Sequence, residues 1–244
     1  MMTERNETGG RLLPGAGVLA AGAVIAAATF GAFFYRARAP QQTVQVVGSA
    51  TQAFVADIVK WRFTVSRPVS DAGLRDGYAQ LRADVQHFRE LLRARGLPDT
   101  ALIVQPPTAQ PQWGREGVRT GYTLQQPVFI ISDRLADVEP LALDPAAVLR
   151  DGAALEFSQL EYFYSGIARL KQQLLSTATR DARERAAQIA ENTDSRVGKI
   201  ISARSGVFQI TEPYSTEVSG FGVHNTATRQ KEITVTVHAN FALH

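Results

Sequence analysis

Four histidines are the first side chains to test for chemistry: His87, His224, His238 and His244. No two of them have metal-ligand spacing, and no His-Glu-x-x-His run occurs. His238 falls on the polar face of a strand, and His87 lies next to Phe88, off a helix's apolar stripe. His224 sits in a loop beside Asn225, the most site-like setting of the four, yet a solvated loop histidine accounts for it. Gly220-Phe221-Gly222 lacks the further glycine, the Lys-Ser/Thr pair and the following helix that a phosphate cradle needs. The Gly-x-Ser-x-Gly elbow of serine hydrolases is absent. Asp133 and Asp137 stand at a helix start, where facing the positive helix end is role enough. Arg180, Arg183 and Arg185 read as a solvated helix face, with an anionic-ligand site as the sharper alternative. Asp57 is a polar oddity on an apolar strand face; we expect it to satisfy backbone donors near a turn, with an interface as the alternative. There is no cysteine, which excludes disulfides, thiol catalysis, cysteine-ligated zinc and a lipoprotein anchor. The expectation is a non-enzyme, with no catalytic, cofactor-binding or metal-binding residue and no cofactor.

The elements that would carry these residues are legible from period and punctuation. Thr43–Gly48 reads as a strand. From Phe54 to Ser66, Val55, Val59, Trp61, Phe63 and Val65 share one face at period two. Leu74, Tyr78, Leu81, Val85, Phe88 and Leu92 step by four and three, the apolar stripe of a helix. Ser70 is its expected N-cap with Asp71 in the first turn. Gly96 suits the left-handed position after it, with Leu97 packing back on Leu92. Strands follow at Leu102–Val104 and Gly121–Ser132, separated by a loop or hairpin tip over Gln105–Arg119, in which Trp113 is expected to tuck in as an anchor. A helix over Leu135–Leu149 should break or restart at Pro140 and Pro145. A strand at Glu156–Tyr164 precedes a long helix at Ile167–Thr193. On that helix Ala178, Ala182, Ala186 and Ala190 form a ridge permitting close approach to a sheet, with Ile189 beside them. Arg180–Glu184 and Asp181–Arg185 offer ion pairs on its wet side. The chain closes with a strand over Lys199–Thr211, a loop through Pro213, Gly220 and Gly222, and a long half-buried strand in which Ile233, Val235, Val237, Ala239, Phe241 and Leu243 alternate with polar residues. Thr234, Thr236 and His238 leave one face wet, so that strand is expected at a sheet edge that pairs with a neighbouring chain, with Lys231 and Glu232 blunting the edge as the alternative.

Residues 1–11 form an N-terminal tail, and no charge interrupts Leu12–Phe34. As a helix this stretch spans roughly 34 Å, enough for a hydrocarbon core of about 30 Å. We read residues 12–34 as a transmembrane helix in contact with the lipid bilayer, residues 35–42 as a linker and residues 43–244 as one domain. Ala37-Arg38-Ala39 loosely matches a signal cleavage site, but the apolar run is too long for one and Pro40 would follow the cut. Gly22 with Ala26, and Ala23 with Ala27 and Gly31, are small-residue rows of the kind any alanine-rich helix produces. The formal charge of +3 includes +2 within the first 39 residues, from Arg5, Arg11, Arg36 and Arg38 against Glu4 and Glu7. The rest is nearly neutral, so nucleic acid is not a partner.

Several segments in order resemble the SIMPL-domain family of bacterial envelope proteins, which includes periplasmic immunogenic proteins. They are Val44-Gln45-Val46-Val47-Gly48; Gly121-Tyr122 leading into Val128–Asp133; Phe163 with the helix Ala178–Ala190 and Arg196-Val197-Gly198-Lys199-Ile200; and Gln230–Val237. Asn192–Ser195 and the Gly220–Thr228 loop depart from the pattern. The resemblance implies an α+β fold, long helices packed on antiparallel strands, export to the envelope and a homo-oligomer, in rings. It also implies links to stress tolerance, and it carries over no catalytic residue. With the apolar helix, it implies a single-pass protein of the bacterial inner membrane whose C-terminal domain faces the periplasm. The function expected is an oligomerising interaction or assembly module. The alternative is a binding module for a small or lipidic envelope ligand held between helix and sheet.

Overall fold

The computed structural model describes residues 13–38 and 42–244. The tail, Leu12, and residues 39–41 with the Pro40 argument lie outside the described residues. Helix α1 (Leu13–Arg38) contains a 19-residue stretch, Gly17–Tyr35, that is long and apolar enough to cross a membrane. None of that stretch is buried, so Val18, Leu19, Ile25, Phe30 and Phe33 have no protein core to enter. Length and composition of this kind suit an anchor or a signal sequence alike.

From residue 42 the order is β1 (Thr43–Val55), β2 (Ile58–Val69), α2 (Leu74–Ala94), β3 (Leu102–Val104), β4 (Thr108–Trp113), β5 (Arg119–Ser132), α3 (Leu135–Leu143), β6 (Ala154–Phe163), α4 (Ile167–Glu191), β7 (Val197–Ser205), β8 (Gln209–Thr211) and β9 (Gln230–Leu243). These elements make an α+β fold of two lobes, each a helix layer on an antiparallel sheet. In one lobe α4 covers the sheet β1-β9-β7, with β8 beside β7 on β9. In the other, α2 and α3 cover the sheet β3-β5-β2-β6, with β4 also on β5.

The cores follow the two periodicities. Val59, Trp61, Phe63 and Val65 on β2 meet Leu81, Val85, Phe88 and Leu92 on α2, all buried. Helix α2 ends as its sequence predicts: Gly96 has φ +72°, its N–H donates to Arg93, and the Leu97 N–H reaches back to the Leu92 carbonyl at 3.0 Å. In the first lobe Ala178, Ala182, Ala186 and Ala190 are all within 1% of fully buried. The partner of this ridge is Gly48. A Cβ there would lie 2.2 Å from the Ala178 carbonyl oxygen and 2.4 Å from the Ala182 nitrogen. Gly→Ala in a strand ordinarily reduces unfolded-state entropy and stabilises. Here both obstacles are backbone, so Gly48→Ala should instead destabilise by about 1–3 kcal/mol, read as a lowered unfolding midpoint.

Other expectations are corrected. The expected strand Phe54–Ser66 is two strands in different sheets, broken at Ala56-Asp57, and Val55 is exposed. Helix α2 starts at Leu74; Ser70 accepts from the Gly73 N–H one turn earlier, and Asp71 pairs with Arg119 at 3.0 Å. Gln105–Arg119 holds a strand, and Trp113 is 64% exposed. Only Ala109 of β4 packs on the core, so the hairpin tip offers Trp113 nothing to tuck against. Helix α3 passes through Pro140 and stops at Leu143. Ile189 is exposed, and no ion pair joins Arg180 to Glu184, whereas Asp181–Arg185 forms at 2.8 Å. The expected strand Lys199–Thr211 bends away at Gly206, splitting into β7 and β8. Most consequential, β9 is not an edge: β1 pairs along one side and β7 and β8 along the other.

Candidate functional site

The histidines are not brought together. His224 forms a bridge with Ile210, His238 lies midway along β9, His87 is on α2, and the His244 backbone pairs with Arg196. Among the described residues no group of three His, Asp or Glu is arranged to hold a metal ion. Asp57 does what its position suggested: its Oδ1 accepts the Ser165 N–H at 2.7 Å, fastening the junction between β1 and β2 to the start of α4.

Two buried polar clusters were not anticipated. In the second lobe the Arg67 Nε–H and Nη2–H donate to Asp84 Oδ2 and Oδ1 at 2.5 and 2.9 Å. Arg67 is 8% exposed and Asp84 2%. The fork-on-fork hydrogen bonding raises the Arg67 pKa above the ordinary arginine value, so the guanidinium stays charged. Parity could have found Arg67, which continues the inward series Val59, Trp61, Phe63, Val65. Asp84 stands three residues after Leu81 and four before Phe88, on the same stripe.

The other cluster centres on Lys231, which is 2% exposed rather than a surface charge. Its Nζ donates to the Asn225 carbonyl at 2.6 Å, and the Asn225 amide donates to Glu212 Oε2 at 2.6 Å. Burial pushes the Lys231 pKa below the ordinary lysine range, partly opposed by Glu212. Asn225 Oδ1 also accepts from the Ala227 N–H. The loop so folded lets Thr226 accept the Tyr162 N–H at 2.7 Å, linking the β9 side of one lobe to β6 of the other. Both hydrogen bonds of the Lys231 ammonium go to Asn225 of the loop it organises, which reads as a structural clamp.

A groove of about 780 Å³ lies on the face of the first sheet opposite α4. Gln45 of β1, Ser202 and Arg204 of β7, and Thr234, Thr236, His238 and Asn240 of β9 line it. Val207, Val218, Ser219 and Gly220 form one wall. That wall is held by one side chain: the Gln209 amide donates to the Ser219 carbonyl at 2.7 Å and accepts the Val223 N–H at 2.8 Å. The same loop projects Tyr214, Val218 and Phe221, at 95%, 80% and 101% exposure. Among the described residues no hydrogen bond joins His238 to a carboxylate or to the groove hydroxyls.

A single apolar helix ahead of a two-lobed α+β domain defines the class. The SIMPL family, described as a protein of unknown function (DUF541), matches residues 44–241. That is most of the chain, and the protein belongs to the SIMPL family. No curated protein matches it. The match starts one residue into β1 and ends within β9, so it takes in both lobes and leaves α1 outside.

Proposed function

We propose that this chain is a membrane-tethered, non-enzymatic interaction module of the bacterial envelope, anchored by α1 in the inner membrane with its domain in the periplasm, which associates with further copies of itself. The observation carrying the reading is the loop 212–222. An ordered loop that points aromatic side chains fully into water gains nothing for folding. Aromatic side chains presented on an ordered backbone are what protein interfaces use as anchors, because they bring large contact area with few rotatable bonds to fix. Self-association is therefore carried by Tyr214, Val218 and Phe221, not by β9, which is interior. The free side of β1 is a poor alternative: the Ser49 N–H that points out of the sheet already donates to Asp181 Oδ2 at 2.7 Å.

The tether sets which end of the domain lies nearest the bilayer. From Arg38 to Thr43 there are five Cα steps, a reach of at most roughly 18 Å. Thr43 pairs with Ala242, and the Leu243 N–H donates to the Gln42 carbonyl. The membrane-proximal end is then the one where β1 begins and β9 finishes.

A ligand-binding role is the second reading, favoured by the groove. The space between α4 and the sheet is closed by the alanine ridge, so a ligand held between helix and sheet is not what this lobe offers.

One experiment addresses tether and association together. The full chain in detergent should scatter light as more than one copy per micelle across micromolar concentrations. Tyr214→Ser with Phe221→Ser should return it to one copy without lowering the unfolding midpoint. A reporter fused after His244 should be active only outside the cytoplasm. A single copy at all concentrations refutes self-association, and a chain that begins at Pro40 refutes the anchor.

A further inference from the structure

We propose that the groove on the open face of the first sheet is a binding site for the oxyanion of a hydroxylated molecule, a phosphate or carboxylate, held by Arg204 and His238. Arg204 and His238 are directly opposed across β7 and β9. Opposed residues on antiparallel strands project from the same face with Cβ atoms about 5 Å apart. Both are exposed, and neither has an ion pair or a side-chain hydrogen bond among the described residues. Two side chains able to carry positive charge, set side by side without an acid, repel when both are charged. No residue lining the groove is acidic. Glu232, on the same face, is six residues along β9 from His238, roughly 20 Å away. An anion bridging the guanidinium and the imidazole removes this repulsion, and the planar guanidinium matches a phosphate or carboxylate with two parallel hydrogen bonds.

The next pair on the same face, two residues along the strands, says what else the ligand carries. Ser202 is opposite Asn240, again across β7 and β9. Asn240 Oδ1 is shielded from water and has no hydrogen-bond partner. A shielded amide oxygen without a donor is costly to leave so, and a ligand hydroxyl reaches it once the Asn240 amide turns toward the groove. Gln45, opposite Asn240 on β1, and the Thr236 hydroxyl extend the polar floor. The site therefore offers cations for an anion and, two residues along the same face, acceptors and donors for hydroxyls. A glycerol phosphate or a sugar acid has this chemistry, whether free in solution or as an anionic lipid headgroup.

The test uses the full chain in nanodiscs of phosphatidylcholine, titrated calorimetrically with glycerol 1-phosphate and with glucuronate. At least one should bind saturably below 10 mM. Arg204→Gln should weaken it at least ten-fold and His238→Gln several-fold. Lys199→Gln, an exposed cation on the same strand but outside the groove, should change it less than two-fold. Circular dichroism melts identify any variant that fails to fold, and Ser202→Ala then serves as a second, milder probe, expected to weaken binding two- to five-fold. Repeating the titration in nanodiscs with phosphatidylglycerol separates the sources. Weaker apparent affinity there means the headgroup competes for the groove, and unchanged affinity means a soluble ligand; either supports the site. Absence of saturable binding by both probes, or equal losses from Arg204→Gln and Lys199→Gln, overturns it. The outcome is independent of whether the chain self-associates, which is read by light scattering.

Discussion

Replacing Arg67 by methionine should destabilise the second lobe by about 3–5 kcal/mol, and adding Asp84→Leu should restore most of that loss. The pair is buried on both sides: Arg67 is 8% exposed and Asp84 2%. Removing the guanidinium strands a carboxylate among Leu81, Val85 and Phe88, with two hydrogen bonds lost and little water to replace them. Removing both charges instead leaves two apolar side chains of similar volume between β2 and α2. Buried ion pairs replaced in this way are often neutral or better, because two desolvation costs vanish with the attraction. The check is a double-mutant cycle by urea denaturation, followed through Trp61, which is fully buried against α2, with Trp113 replaced by phenylalanine in every member. Two equal and additive single-variant losses would mean that the charges do not act as a pair.

That pair shows how far the sequence could be read. Everything fixed by local period was visible: the stripe on α2 with its glycine stop, the alternation on β2 and β9, and the alanine ridge on α4. What required a second segment was not. Arg67 and Asp84 each lie on an apolar face, but only the packing of α2 on β2 turns two anomalies into one feature. Gly48 and Ala178 are 130 residues apart, so the close approach that forbids a Cβ leaves no local mark. Whether β9 is an edge depends on where β1 and β7 go, and a half-wet face reports only what covers the sheet, not what flanks the strand. The break at Ala56-Asp57 was masked because Val55, although exposed on β1, falls in step with the buried odd-numbered series of β2, whereas the buried residues of β1 are the even-numbered ones. Trp113 was misjudged because burial was inferred from residue type, and β4 carries too few apolar neighbours to hold an indole. The groove was least legible of all. Arg204 and His238 are 34 positions apart, and neither is unusual until the register sets one opposite the other.

Truncating Phe88 to alanine should cost about 3–5 kcal/mol, whereas Arg82→Ala on the same helix should stay within about 0.5 kcal/mol. Phe88 is 1% exposed and completes an aromatic cluster. Its ring lies 4.9 Å from Phe63 and 6.2 Å from Trp61, and the latter two are 4.2 Å apart. Truncation removes a ring's worth of apolar burial and leaves a void bounded by side chains that are themselves pinned. Trp61 cannot easily swing into that void, because its indole N–H is held by Ser158 Oγ at 2.9 Å on β6. Phe63 is held by its pairing with Val128 of β5, opposite a bulge in the β2–β6 ladder. A site that cannot collapse keeps the full cavity cost on top of the lost transfer energy. Arg82 is exposed and lies off the stripe, so its loss removes only helix-surface contacts. Urea denaturation of the two variants measures the difference. The near-ultraviolet circular dichroism of Phe88→Ala should also weaken, since the asymmetric packing around Trp61 is reduced while the helix remains. Equal midpoints for the two variants would place Phe88 outside the core and contradict the packing of α2 on β2.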